Sequence, residues 1–114
     1  MSASTVAAVG ALVDEFRELT PLLAEHLEDN DGEVLPHLLL ADIVRWLVAR
    51  VDSDQDICRS ILRWLEHEYE RGPEDVRGLV KVSGVEMIPD PGLPGAALRE
   101  LLGSTLRELD PWLA

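Results

Sequence analysis

The side chains that most often perform acid–base or metal chemistry are sparse in this sequence and poorly spaced for it. The three histidines, His26, His37 and His67, never recur at the three- or four-residue interval that puts two metal ligands on one helix face. The segment from His67 to Arg71 begins like the HExxH zinc motif, but it ends in arginine, so the second ligand is missing. We therefore expect no metal and no cofactor.

A calcium loop is excluded by its own spacing. Asp52, Asp54 and Asp56 match the alternating start of an EF-hand loop. The sixth position is Ile57, where the sharp turn needs glycine, and the twelfth is Arg63, where a bidentate glutamate is needed. The three aspartates are therefore interpreted as turn and helix-capping residues.

The candidate nucleophiles lack the neighbours that would activate them. Cys58, the one cysteine, lies on the flank of a predicted apolar helix face with no histidine one turn away, so we interpret it as a buried structural thiol. Ser83 precedes Gly84 but lacks the earlier glycine of a nucleophile elbow. A single cysteine forms no intrachain disulfide, which favours a reducing cytoplasm. These residues predict a protein that is not an enzyme.

Charge is the strongest compositional signal. The 114 residues include 22 acidic and 10 basic side chains, for a net charge of −12. A field of this sign repels nucleic acid and anionic lipid, and it accelerates encounter with a basic protein. The alternative is that the charge serves only solubility.

The acidity is concentrated in one interval. No lysine or arginine occurs between Arg17 and Arg45. We name residues 25–33, which fall at a predicted helix end and loop, the acidic segment, and we predict that its carboxylates are exposed and bind a basic partner. They are Glu25, Glu28, Asp29, Asp31 and Glu33.

Apolar residues recur at three- and four-residue steps through most of the chain, which predicts an all-α protein of five or six helices without a sheet. The predicted helices cover about 4–19, 21–27, 35–51, 53–72, 73–88 and 94–109. We expect one domain over residues 1–114, built of antiparallel helix pairs with HEAT-like packing. Gly78 lies inside a predicted helix, where we expect it to allow close approach of a neighbouring helix.

The best-phased stretch is a helical hairpin over residues 35–72, joined at Asp52 and Ser53. Its first arm has the broadest apolar face, so we predict that it is the most buried helix. Trp46 and Trp64 lie on inward faces, and Trp112 is predicted to dock on the domain or, alternatively, to anchor a partner. The N-terminal apolar run lacks a basic region and is too short for a membrane span, so we expect neither a secretory signal nor membrane binding.

Three segments, LPHLLLADIVRWLV, ILRWLEHEYERG and VRGLVKVSGVEMI, resemble a family of small, acidic, uncharacterised bacterial proteins over roughly residues 30–90. The resemblance implies an all-helical, HEAT-like bundle, and some members are similar to immunity proteins, which bind and silence a co-encoded toxin. It implies no catalytic role. The matching positions are Leu35, Pro36, His37, Asp42, Trp46, Val80, Ser83 and Glu86.

Three hypotheses follow from the sequence. The leading one is a non-enzymatic interaction protein, most concretely an immunity-type inhibitor that occludes a basic toxin with the acidic segment. The alternative is a helical domain that binds a small ligand or metal in a pocket lined by His37, Asp42 and Trp46. A third is a homodimer formed through the C-terminal helix, so the protein is expected to be a monomer or a homodimer.

Overall fold

A computed structural model describes residues 2–113, and in that range every regular element is a helix, which confirms the all-α prediction. The α-helices are α1 (Ala3–Glu15), α2 (Thr20–Asp29), α3 (Pro36–Arg50), α4 (Gln55–Arg71), α5 (Glu74–Ser83) and α6 (Ser104–Arg107). Short 3-10 helices cover Arg17–Leu19, Val85–Met87 and Ala96–Leu101. The radius of gyration is 13.2 Å, close to the value of about 13 Å expected for a folded domain of this length. None of the described helices is both long and apolar enough to cross a lipid bilayer.

The core is centred on α3, as its broad apolar face predicts. No other described helix buries as many residues. Its buried residues are Pro36, Leu39, Leu40, Ala41, Ile43, Val44 and Leu47. Each fully buried leucine or isoleucine contributes about 1.5–3 kcal/mol relative to an exposed one. Burial of the apolar face of this one helix therefore contributes much of the hydrophobic free energy that stabilises the fold.

The principal partner of α3 is α5, which lies later in the chain than the hairpin's second arm. Helix α5 also contacts α1 and α4, so it packs against three of the other helices. Its inner face repeats at three- and four-residue steps through Val76, Leu79, Val80 and Ser83. Gly78 is on another side of the helix, where a Cβ atom would meet nothing within 4 Å. The expectation that Gly78 permits close helix packing is therefore wrong.

The first helix is shorter than predicted. It ends at Glu15, and Phe16 takes an extended backbone (φ −117°, ψ 91°) while its N–H still bonds to the Leu12 carbonyl. A 3-10 turn follows, and it delivers Leu19 into the core with no exposed surface. The apolar spacing continues through residue 19, but the chain buries Leu19 through this 3-10 turn and not through a continued α-helix.

The single helix predicted over 94–109 is also wrong. The chain forms the 3-10 helix Ala96–Leu101, is extended at Leu102 and Gly103, and then makes one turn of α6. The Glu66 carboxylate of α4 lies so close to Gly103 that any Cβ there would overlap it. Its Oε2 accepts hydrogen bonds from the Thr105 N–H at 2.9 Å and the Leu106 N–H at 3.0 Å. A carboxylate from another helix thus caps α6, and the C-terminal segment named in the dimer hypothesis is divided into two short helices.

Candidate functional site

The acidic segment occupies the C-terminal end of α2 and the loop after it. All five of its carboxylate side chains are exposed. Within residues 2–113 the ion pairs join other groups, so none of the five is neutralised by a lysine or arginine of the chain. The segment therefore presents a group of uncompensated negative charges to solvent.

The position of these charges works against helix stability. Glu28 and Asp29 lie in the last turn of α2, and Glu25 immediately precedes that turn. Unpaired carbonyl groups make a helix C-terminus the negative end of its dipole, so each carboxylate near it costs roughly 0.3–1 kcal/mol at low ionic strength. This placement is not one that helix stability would favour.

The loop after α2 is held in a defined shape. His26 is buried, and its Nε2 accepts a hydrogen bond from the Leu35 N–H at 2.9 Å. The lone pair of Nε2 is the acceptor in this contact. The Asn30 side chain bonds back to the His26 carbonyl at 2.8 Å, and Gly32 N–H bonds to the Leu27 carbonyl at 2.7 Å. His26 therefore acts as a clamp that fixes the loop, a role that its spacing from other histidines does not reveal.

The start of α3 and the end of α5 are tied by a second histidine. His37 Nδ1 and Ser83 Oγ are 2.6 Å apart, although the residues are separated by 46 positions. His37 was a candidate pocket residue, whereas Ser83 appeared only among the positions of the family resemblance. The structure brings these two together at the junction of α3 and α5.

A histidine bonded to a serine invites comparison with a catalytic dyad. Ser83 is poorly placed to act as a nucleophile, because it is only 6% exposed and offers little access to a substrate. Among the described hydrogen bonds, none joins the other ring nitrogen of His37 to a carboxylate that would orient it as a base. We interpret the pair as a structural tie between helices.

Large apolar side chains are exposed next to this tie. Leu38 is 45% exposed, Val82 is 50% exposed and Met87 is 38% exposed. Leu38 follows His37, Val82 precedes Ser83, and Met87 ends the 3-10 turn that follows α5. We name these three side chains the apolar patch. Lys81 and Glu86, 3.8 Å apart, form an ion pair among the same residues.

The other two predicted pocket residues have separate partners. Asp42 pairs with Arg45 at 2.5 Å, and the Arg50 guanidinium lies over the Trp46 ring at 3.9 Å from its centroid. His37, Asp42 and Trp46 therefore have three different described partners. In the part of the chain that the structure describes, no three His, Cys, Asp or Glu side chains are grouped to hold a metal ion.

The buried ion pair between Arg99 and Asp110 was missed by sequence reasoning. Their side chains are 8% and 0% exposed, and the Arg99 Nε donates to Asp110 Oδ2. Arg99 Nη1 also donates to the Pro89 carbonyl at 2.9 Å, and Asp110 Oδ1 accepts from the Trp112 N–H at 2.9 Å. Two open clefts, of about 500 and 560 Å³, are both lined by Arg99 and Trp112. The pair fixes the C-terminal residues against the 3-10 helix Ala96–Leu101.

Cys58 fits the structural interpretation. Its thiol is fully buried and donates a hydrogen bond to the Leu47 carbonyl at 3.5 Å. Burial raises the pKa of the Cys58 thiol, the Asp54 carboxylate raises it further, and the Arg50 guanidinium partly opposes both. The thiol is therefore protonated and inaccessible in the folded protein.

Comparison with known proteins identifies the family of this chain but no individual similar protein. No curated protein and no solved structure was found to match the chain. One family model matches residues 9–110, a range that includes the acidic segment, the apolar patch and the Arg99–Asp110 pair. The chain therefore belongs to the family described as a domain of unknown function, DUF7674.

Proposed function

We propose that this protein is a non-enzymatic cytoplasmic interaction protein that binds a basic partner protein through the acidic segment. Its most concrete form is an immunity-type inhibitor that occludes a basic toxin. The main support is the acidic segment itself, where five exposed carboxylates lie within nine residues and have no cationic neighbour among residues 2–113. The proposal includes antiparallel, HEAT-like packing of the helix pairs.

The energetics favour partner binding over mere solubility as the role of these charges. Carboxylates added for solubility work equally well anywhere on the surface, and they cost least near helix N-termini. Here three carboxylates are near the unfavourable end of α2. Lysine or arginine side chains of a partner would relieve that repulsion on binding, so the stability lost in the free protein would be regained in the complex. They would also accelerate association through long-range attraction.

The test compares two variants with the same change in net charge. One neutralises the acidic segment through Glu25→Gln, Glu28→Gln, Asp29→Asn, Asp31→Asn and Glu33→Gln. The matched control neutralises five exposed acids elsewhere, through Asp14→Asn, Asp52→Asn, Asp90→Asn, Glu100→Gln and Glu108→Gln. A partner captured by the wild-type protein is identified, expressed separately and mixed with each variant in a stopped-flow instrument.

We expect the first variant to associate at least about tenfold more slowly at low salt, and the difference to shrink near 1 M salt, where screening is strong. The control should remain within a factor of about two to three of the wild type. Equal slowing by both variants would mean that total charge alone matters, and it would contradict assignment of the acidic segment as the binding surface.

A further inference from the structure

We infer that the apolar patch, Leu38, Val82 and Met87, is the central contact of the same partner surface, and that it takes a protein face with apolar side chains bordered by lysine or arginine. This inference rests on the proposed function of the acidic segment. It adds the site that holds the partner after the charges have attracted it.

The three side chains are held at one junction of the fold. The hydrogen bond between His37 and Ser83, at 2.6 Å, joins the first turn of α3 to the last residue of α5. Leu38 and Val82 are the sequence neighbours of that pair, and the turn ending at Met87 packs against both helices. Single exposed apolar residues are common on protein surfaces, whereas several grouped at one place are a feature of interaction surfaces.

The apolar patch is within reach of the acidic segment. Only two residues separate Glu33 from Pro36, so an extended chain followed by the start of α3 places Glu33 at most about 16 Å from Leu38. A standard protein interface buries about 800 Å² on each partner, equivalent to a disc with a radius of about 16 Å. The His26 clamp holds the intervening loop against α2. One partner can therefore cover the apolar patch together with the end of the acidic segment at Glu33.

The arrangement matches the anatomy of protein interfaces, in which apolar side chains form the centre and charged groups form the rim. Lys81, the basic residue next to Val82, is paired with Glu86, so it does not offset the carboxylates of the acidic segment. The rim therefore has a net negative charge. In a symmetric dimer the same acidic rim would face itself, which like-charge repulsion opposes. These charges favour a basic partner over a second copy of the chain.

The test uses the full chain and two peptides of equal positive charge. The first is a 14-residue amphipathic helix of leucine and lysine, and the second replaces every leucine with serine. Methyl and amide NMR signals of the protein are followed during titration with each peptide. We expect the leucine peptide to shift the methyl signals of Leu38, Val82 and Met87, and the serine peptide to shift only amide signals of residues 25–33.

Matched variants test whether the peptide binds the apolar patch itself or any exposed apolar side chains. Leu38→Gln, Val82→Thr and Met87→Gln together should weaken binding of the leucine peptide at least about tenfold while its association rate changes little, since apolar contacts mainly set the dissociation rate. The control changes three exposed apolar residues elsewhere, through Leu93→Gln, Trp112→Gln and Leu113→Gln. It should bind the peptide as the wild type does.

Each remaining outcome has a defined meaning. Unshifted patch methyl signals, or equal affinities for the patch variant and its control, would overturn this inference and leave the acidic segment intact as a binding surface. If neutralising the acidic segment leaves both peptides unaffected while the patch variant weakens the leucine peptide, the proposed function of the acidic segment fails and the apolar contact stands without it.

Discussion

The buried pair Arg99–Asp110 gives the sharpest stability prediction. Both side chains are shielded from water, at 8% and 0% exposed, so solvent screening does not weaken their interaction. Asp110→Asn preserves the side-chain shape but leaves the Arg99 charge buried, with the Pro89 carbonyl as its remaining described acceptor. Breaking a buried pair in this way costs about 3–5 kcal/mol. That is a large part of a typical domain stability of about 5–15 kcal/mol.

The assay is urea denaturation followed by tryptophan fluorescence. At an unchanged m-value, the free energy of unfolding of Asp110→Asn should fall by about 3 kcal/mol or more, with a decrease in Tm of roughly 12 °C. The second variant, Arg99→Met with Asp110→Asn, removes the unpaired charge and should recover at least about half of the loss. The matched control is Asp42→Asn, which breaks the exposed pair with Arg45 and should cost less than about 1 kcal/mol. A loss below about 1 kcal/mol for Asp110→Asn, or no recovery in the double variant, would refute the assignment of a structural ion pair.

Three further predictions concern single residues. Gly78→Ala should stabilise the protein by up to about 1 kcal/mol, because the added methyl group meets open space at an interior position of helix α5. Gly103→Ala should destabilise the protein, because the added methyl group would displace the Glu66 side chain. Thermal melts of both variants check that the two changes in stability have opposite signs. Burial raises the pKa of the Cys58 thiol, so the folded state retains a proton that the unfolded state loses. Stability should therefore be full below the unfolded thiol pKa of about 8.5 and fall as the pH rises above it, and urea midpoints between pH 7 and 10 should fall less steeply for Cys58→Ala. His26→Leu should cost about 1–3 kcal/mol by leaving the Leu35 N–H without its acceptor, and hydrogen exchange at that amide should accelerate; an unchanged exchange rate would show that the clamp does not hold the loop.

Local patterns predicted helix α3 and the exposure of the acidic segment well. The apolar spacing of α3 reveals both the helix and its burial, because a helix that is apolar over much of its circumference needs neighbours on more than one side. The acidic segment was likewise recognisable as an exposed feature, since consecutive acids with asparagine and glycine favour a loop. Both features depend on residues close together in the sequence.

Features that depend on distant residues could not be predicted. The start of α6 is set by Glu66, nearly forty positions earlier, and the tie at the α3–α5 junction joins His37 to Ser83. A periodic pattern shows which face of a helix is apolar, but it does not show which other helix will cover that face. For the same reason the sequence predicted α4 as a neighbour of α3 but did not reveal that α5 is its principal partner.

The His26 clamp has a consequence for the thermodynamics of binding. Fixing the backbone of a free loop costs about 1–2 kcal/mol per residue in conformational entropy. Because the loop that ends at Leu35 is already bonded to His26, that entropy is lost during folding and would not have to be lost again on binding of the proposed partner. Preorganisation of this kind increases affinity without adding any contact. A buried histidine that the partner never touches would thus contribute to the strength of the complex.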